Sequence, residues 1–546
     1  MVSKENIYNA LDELVKVPSI SGSENENLGA IKTYELIGRI KYFKDNEVNL
    51  KMIPVEKDNF NRQVVFAMLE AEEKTSDTII ITGHYDVVGV EEYGHLKNFA
   101  FDMKEITKRI SELTLDDEAQ KDLHSGEWIF GRGTSDMKYG IALCIELLRY
   151  FSEEEKINTN ILFLGVPGEE TNSEGMLQSV KTLYNLQYEK GYIFKALINL
   201  EAYVPNSEDS NEKRFIHVGS AGKVMPLFLC CGIGTHAGEH TFHGFDSNLM
   251  ASKLHELLHH NADFCEESRG VWTPPPACLK MMDLKSTYSI TTPICTASYY
   301  NIITLNLEVY DLINRLKEVA LKAFSETIKI EKQRADNYMK LTNSKVNIIE
   351  VLPKVVMFNE IYSNVKESFQ GDFDLYIRNL TTRSVQEGKE IQDIAIRVFK
   401  EVVDNYRDKT PMIVLGFIPP YYPDSYLNEK DKTVEKLFQA IDKIKQIAFE
   451  KYDETIEIKD FFMGLSDMCF TGVRKGYDYE ELFNNILGIN DFYDFPKKEI
   501  SKINIPSIIF GPYGKDIHKC SERLSLNYNF NVLPYLFVDF IKSLDE

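Results

Sequence analysis

Five short segments of the chain carry side chains of the kind that bind divalent metals: His84-Tyr85-Asp86, Gly131-Arg132-Gly133-Thr134-Ser135-Asp136, Glu169-Glu170, Glu201 and His518. A neutral imidazole is a good zinc ligand, and a nearby carboxylate can hold its other ring nitrogen. Neighbouring carboxylates such as Glu169 and Glu170 can divide labour, because successive side chains of an extended segment point apart. One can then hold metal while the other faces a water. Each piece alone is a weak signal. A histidine beside a strand is usually a packed or surface residue, a Glu-Glu pair is usually a solvated face, and a Gly-rich turn before an acid is usually just a turn.

Their placement joins them. The β-branched run Thr78-Ile79-Ile80-Ile81 reads as a buried strand that ends at Gly83-His84-Tyr85-Asp86. A second apolar strand, Ile161 to Val166, ends at Pro167-Gly168-Glu169-Glu170, and a third, Ala196 to Leu200, ends at Glu201. Helical patterns lie between them, from Met137 to Phe151 and from Glu174 to Leu186. Strands alternating with helices imply an α/β fold with a mostly parallel sheet. The polar residues fall just past the C-terminal ends of its strands, the edge where open α/β sheets bind ligands.

The rest of the chain frames this sheet. Apolar spacing predicts helices over about Lys4–Lys16 and Glu26–Ile40 and a strand over Val64–Leu69. From about Arg214 to Pro419, short strands (Val224–Cys231, Ile302–Val309, Met412–Phe417) alternate with long amphipathic helices, as in a second, α+β domain. The Pro-rich stretch Ile418-Pro419-Pro420-Tyr421-Tyr422-Pro423 reads as a boundary. A helix over Thr433–Tyr452 and a buried strand at Ser507–Phe510 follow. At 546 residues the chain is too long for one core. The expected domains are therefore a catalytic domain formed by 1–214 and 420–546, with a lid domain, 215–419, inserted between its parts.

Composition excludes some functions. With 43% hydrophobic and 27% charged residues, the sequence is that of an ordinary globular protein. A net charge of -22 repels phosphate backbones and makes nucleic acid an unexpected partner. No apolar run is long enough to span a bilayer, and the polar start from Met1 to Tyr8 lacks a signal peptide's core, so no membrane partner and a cytoplasmic location are expected. The eight cysteines form no CxxC pair and read as free thiols.

In order and context the five segments resemble the M20 metallopeptidase family, the aminoacylase, carboxypeptidase and desuccinylase group. The resemblance includes Val17-Pro18-Ser19-Ile20-Ser21-Gly22 and Gly464-Leu465-Ser466-Asp467, which looks like the family's Gly-Gly-Thr-Asp turn. Length and long inserts are most similar to the family's arginine-utilisation branch. The resemblance implies a zinc-exopeptidase-like catalytic domain that binds two divalent ions, zinc first, manganese or cobalt as alternatives. Asp136 would bridge them, His84 and Glu201 would complete one site, and Glu170 and His518 the other. Asp86 would orient His84, and Glu169 would be the general base and then the acid. Two such metals activate a water and polarise a carbonyl, and a carboxylate with a raised pKa suits the proton transfers. The segment Gly232-Ile233-Gly234-Thr235-His236-Ala237-Gly238 resembles the family's Gly-x-x-x-His, which makes His236 the candidate oxyanion stabiliser. The implied reaction is hydrolysis of an amide bond in a small substrate, such as an N-acyl amino acid or short peptide, with a hint of arginine metabolism, by a monomer or a homodimer.

Several features pull away from that reading. The stretch from Glu91 to Glu127 and the lid are both longer than the resemblance leads one to expect, and the ending Gly511-Pro512-Tyr513-Gly514 departs from the family's commoner Gly-Pro-Gly. His255-Glu256-Leu257-Leu258-His259 fits HExxH, the pattern of a one-zinc protease. In the M20 reading it is an outer lid helix whose buried stripe is Leu254, Leu257 and Leu258. A further alternative is an M20 fold reused for binding or regulation; that would predict missing ligands, and none is missing.

Overall fold

The computed structural model describes residues 1–203, 213–238, 241–306, 308–473, 479–488 and 493–546. The chain forms two compact units. One comprises Met1–Ala221, Ser425–Val473 and Pro496–Glu546; the other comprises Gly222–Asp424 and Arg474–Phe495.

The first unit is built on an eight-stranded mixed sheet. Its spatial order is Leu50–Pro54, Gln63–Leu69, Asn160–Val166, Asp77–His84, Ile193–Asn199, Ser507–Ile509, Lys213–His217 and Thr455–Lys459. The four strands from Asn160–Val166 to Ser507–Ile509 are parallel, so their C-terminal ends share one edge. Strand alternation gives the sheet two buried faces. Ile79 and Ile81 join the cluster formed with the helices Lys4–Val15, Tyr139–Glu153 and Leu533–Asp545, while Ile80 between them is also fully buried and points the other way. The helix Glu174–Lys190 packs on the neighbouring strands with Val180 and Leu183 buried. Burying such a side chain contributes roughly 1.5–3 kcal/mol, and a one-residue slip would carry each one to the opposite face and break the packing built around it.

The insertion after His84-Tyr85-Asp86 is ordered. Glu91–Phe99, Met103–Arg109 and Asp117–Ser125 are helical. Asp102 caps the second by accepting from Lys104 and Glu105, Asp116 caps the third by accepting from Ala119, and Gly126 at φ 72° ends it. Tyr93, Leu96, Ile106, Ile110 and Phe130 make a separate small core for it.

The second unit carries a six-stranded sheet, ordered Ala277–Asp283, Cys295–Thr304, Pro226–Cys231, Met412–Phe417 and Val355–Met357, with Gly222–Val224 pairing the end of Cys295–Thr304. The helices Phe358–Ser368 and Ile391–Asn405 bury Ile361, Val398 and Phe399 against Leu227, Leu229 and Val414. The strand expected at Ile302–Val309 lies earlier, at Cys295–Thr304. Beyond Thr304 the backbone leaves the sheet: the amides of Leu305 and Asn306 both donate to the Glu266 carboxylate at 2.8 Å, and a helix starts at Val309. No disulfide is present among the described residues, and Cys144, Cys230, Cys231, Cys295 and Cys469 are buried. No described helix is long and apolar enough to cross a membrane.

Candidate active site

The parallel strands deliver the site. His84 is the last residue of its strand, Glu169 and Glu170 follow Val166, Glu201 follows Asn199, and His518 lies beyond the strand ending at Ile509. At Gly511 and Gly514 the turn passes too close to its neighbours to leave room for a side chain. A Cβ on Gly511 would meet the Glu201 carbonyl oxygen at 2.3 Å, and one on Gly514 would meet Ser135 Oγ at 1.7 Å. The glycines therefore let this turn come close enough to bring His518 to Asp136.

Asp136 stands at the centre. Its Oδ1 is 3.0 Å from His84 Nε2, and its Oδ2 is 3.1 Å from His518 Nε2. His84 Nε2 also faces Glu201 at 3.7 Å and Glu169 at 3.9 Å, while His518 Nε2 lies 3.0 Å from Glu170. The other nitrogen of His84, Nδ1, lies 3.0 Å from the Asp86 backbone carbonyl and 3.6 Å from its carboxylate. Donation to that carbonyl turns the Nε2 lone pair of the neutral ring toward Asp136. The Asp86 carboxylate is engaged elsewhere. It accepts from the backbone amides of Glu169 (3.4 Å) and Glu170 (3.2 Å) and from Ser21 Oγ (2.7 Å). Asp86 thus ties the His84 segment to the Glu169-Glu170 segment.

The electrostatics are those of crowded carboxylates. Burial pushes Glu201 up to about 8 and Glu170 up to about 7, each helped by the charge of Asp136. Burial, then the charges of Glu201, Asp467 and Glu170, lift Glu169 well above the ordinary carboxylate range against the pull of His84. Asp136 goes the other way: burial opposes its charge, but the hydrogen bonds of His518 and His84 outweigh it. Those of Asp136 and then Glu170 raise His518 to about 10. Glu201 Oε2 is buried with no hydrogen-bond partner, which is costly unless a cation meets it. His84, Glu169 and Glu201 form one group whose ligand atoms lie within 4.8 Å of one another, and His84, Asp136 and Glu170 form another. Mixed imidazole and carboxylate donors suit zinc, manganese or cobalt.

Other residues of interest lie around or apart from this cluster. Asp467 is buried and electrostatically coupled to Glu169. Its neighbour Ser466 accepts from the Asn199 side chain at 2.7 Å. His236 belongs to the second unit, where its Nδ1 accepts from the Gly238 amide at 3.2 Å. That contact leaves the proton of the neutral ring on Nε2. Among the described residues, the HExxH segment enters neither group of potential metal ligands. His255 and His259 stack on each other, Glu256 pairs with Lys253, and His259 Nδ1 accepts from the Cys278 amide. The buried stripe of that helix is Met250, Ala251, Leu254 and Leu258; Leu257, expected in it, is only partly buried. Of the histidines upstream of that segment, His240 lies outside the described residues. Sequence reasoning missed Glu522, which packs against Asp136 from behind, and gave Arg132 no role.

The profile of the family described as Peptidase family M20/M25/M40 matches residues 80–528. The protein RocB of Bacillus subtilis is 31% identical over 539 residues, covering 96% of this chain and 92% of its own. The protein YqjN of the same organism is 29% identical, at 99% and 97% coverage. Among solved structures, the aminopeptidase PepT of Bacillus cereus superposes with a TM-score of 0.53 at 14% identity over the full length of both chains. The M20 metallo-carboxypeptidase Sso-CP2 of Sulfolobus solfataricus does so at 0.52 and 13%, over 99% of each. At such identities the structural likeness speaks to the fold, and it agrees with the sheet edge on which the carboxylates and histidines meet. The chain belongs to peptidase family M20/M25/M40 and is a metal-dependent amidohydrolase or peptidase of the M20 type.

Proposed function

We propose that the protein hydrolyses an amide bond in a small substrate, an N-acyl amino acid or a short peptide, at a two-ion centre bridged by Asp136. The observation that carries this reading is the Asp136 carboxylate, whose two oxygens face two different imidazoles at 3.0 and 3.1 Å. His84 and Glu201 would hold one ion, and Glu170 and His518 the other. When bound, the ions would supply an activated water and polarise the scissile carbonyl.

The protein's own groups supply the proton traffic. Glu169 sits beside the cluster without a short contact to either histidine, with its affinity for a proton raised by burial and by neighbouring acids. It would take the proton of the attacking water on a carboxylate oxygen and give it to the leaving nitrogen. Asp86 keeps Glu169 at that station through its backbone amide. His236, with its proton on Nε2, is proposed to donate to the developing negative charge on the substrate oxygen. The resemblance to the arginine-utilisation branch, together with a net charge of -22, supports placing basic acyl-amino acids in the first substrate screen.

Elemental analysis of wild type and Asp136→Ala tests the reading. Close to two ions per chain in wild type and a large loss in the variant are expected. A wild-type protein that takes no ion after reconstitution with zinc, manganese or cobalt would overturn it and favour a fold reused for binding.

A further inference from the structure

Behind the candidate ligands lies an ion pair that the chemistry above does not use. Arg132 is 1% exposed and Glu522 is fully buried, and Arg132 Nη1 donates to Glu522 Oε2 at 2.6 Å. The other carboxylate oxygen, Oε1, accepts from the backbone amides of Ser135 (3.2 Å) and Asp136 (3.4 Å). The Glu522 carbonyl accepts from Gly131 at 3.1 Å. Arg132 spends its remaining donors on two further segments. Nε donates to the Gly89 carbonyl at 3.2 Å, and Nη2 donates to the Glu92 carboxylate and to the carbonyl of His518 at 3.3 Å. The segments that carry His84, Asp136 and His518 therefore meet on one buried pair.

Stability is a poor reason for that arrangement. Removing two charges from water costs several kcal/mol per ion, and a well-packed apolar pair often does as well. Geometry is a better one. A planar guanidinium can serve several acceptors in fixed directions, which an ammonium cannot. His518 needs such support. Its φ is 68°, and that of Asp516 is 53°, in the left-handed region that non-glycine residues rarely adopt, so no regular element holds the ring. The insertion adds to the brace. Its Glu92 meets Arg132, and its Asp122 accepts from Lys515 (2.9 Å) and Arg523 (2.7 Å), on either side of His518.

We propose that Arg132 and Glu522 are positioning residues that set the Asp136–His518 separation and thereby the affinity of the second ion, the one assigned to Glu170 and His518. The inference rests on the two-ion reading. Neither residue touches the reacting atoms. Supporting interactions behind metal ligands are worth roughly 10- to 100-fold in metal affinity.

The test measures stepwise zinc affinities of the full-length protein by chelator competition, with the visible spectrum of the cobalt-loaded protein reporting each coordination sphere. Glu522→Gln places an amide NH2 against either Arg132 or the amides of Ser135 and Asp136. It is expected to bind the first ion as wild type does and the second roughly 10- to 100-fold more weakly, with an altered spectrum for the second cobalt alone. Arg132→Lys keeps the charge pair but not the reach to Gly89 and His518. A smaller loss, again confined to the second ion, is expected, and this variant carries the test if Glu522→Gln does not fold. Wild-type affinity for both ions in both variants would overturn the proposal. So would an equal weakening of both ions together with a lower melting temperature of the metal-free protein, the mark of a merely structural pair. A wild type that binds fewer than two ions would sink the two-ion reading itself, a separate result.

Discussion

Glu169 and Glu170 are neighbours in the chain, yet their surroundings differ. Glu170 lies 3.0 Å from His518, while Glu169 comes no closer than 3.9 Å to His84. Replacing Glu169 by Ala is therefore expected to leave metal content intact and to lower kcat roughly 100- to 10,000-fold, the range of a lost general acid-base. Glu256→Ala, in the HExxH segment, is expected to change kcat by less than about twofold, since that carboxylate is paired with Lys253 on an exposed face. Steady-state kinetics with parallel elemental analysis checks both, and the opposite pattern would restore the one-zinc reading. Glu26 offers a pH prediction away from the ligands. It is fully buried, and burial, then the charge of Asp86, raises it to about 8 against the pull of Arg62. A carboxyl whose folded pKa lies above its unfolded value favours the fold below the unfolded value and loses that contribution as pH rises through the folded one. Metal-free wild type is expected to lose stability from about pH 5 toward pH 8, and Glu26→Gln to show a shallower decline in urea melts across that window. A slope as steep in the variant would assign the loss to other groups. His84, Glu169, Glu170 and Glu201 could be picked out from the chain because each lies at or just past the end of an apolar strand; the Arg132–Glu522 pair could not, because an isolated Glu four residues after His518 has no local signature.

At the scale of elements, the sequence exposed what is periodic and hid what is held by partners. The strands at 79–81, 161–166 and 507–509 are continuous apolar runs, which only a doubly covered sheet buries, and each lies where that pattern puts it. The helix expected from Met137 begins at Tyr139, because residues 134–138 form an irregular turn around Asp136. The strand Cys295–Thr304 was hidden by its Thr, Ser, Tyr and Asn content; it is central, paired on both sides, so backbone bonding rather than apolar pattern defines it. The insertion gave no clear pattern because its helices are short and its core is small. Turns set by close approach are likewise invisible to periodicity, and Gly514 shows the consequence. An added Cβ would lie 1.7 Å from Ser135 Oγ and 2.6 Å from Ser135 Cβ, so the turn or the residue beside Asp136 must move. Gly514→Ala is expected to cost about 1–3 kcal/mol, as overpacking does, and to reduce the ions retained after dialysis. Adding Ser135→Gly removes both obstructing atoms and is expected to restore much of the stability and the metal content. No recovery in the double variant would place the strain elsewhere, for instance at the Arg523 carbonyl oxygen 3.0 Å away.

Over the whole molecule, the candidate site residues are distributed unevenly between the units. His84, Asp136, Glu169, Glu170, Glu201 and His518 all belong to the first, assembled from three stretches of chain, whereas His236 belongs to the second. The first unit also depends on the far end of the chain: Ser507–Ile509 lies inside its sheet, between Ile193–Asn199 and Lys213–His217, and His518 follows. Its sheet and its ligand set are therefore completed together, and only after the second unit's main stretch has been made. A ligand that binds the folded state alone stabilises it by RT ln(1 + [L]/Kd), about 4 kcal/mol at a thousand times Kd. If the ions are held by the first unit, that stabilisation belongs to its unfolding and not to the unfolding of the second. Calorimetry with and without a chelator is expected to show one transition lowered by several degrees on metal removal and another left in place. His236→Ala should leave both transitions and the metal content unchanged while lowering kcat, because its proposed contribution is made only to the charge that develops during reaction. Two transitions falling together on chelation would mean that the units melt as one cooperative body, and loss of metal in His236→Ala would make that histidine a ligand rather than an oxyanion donor.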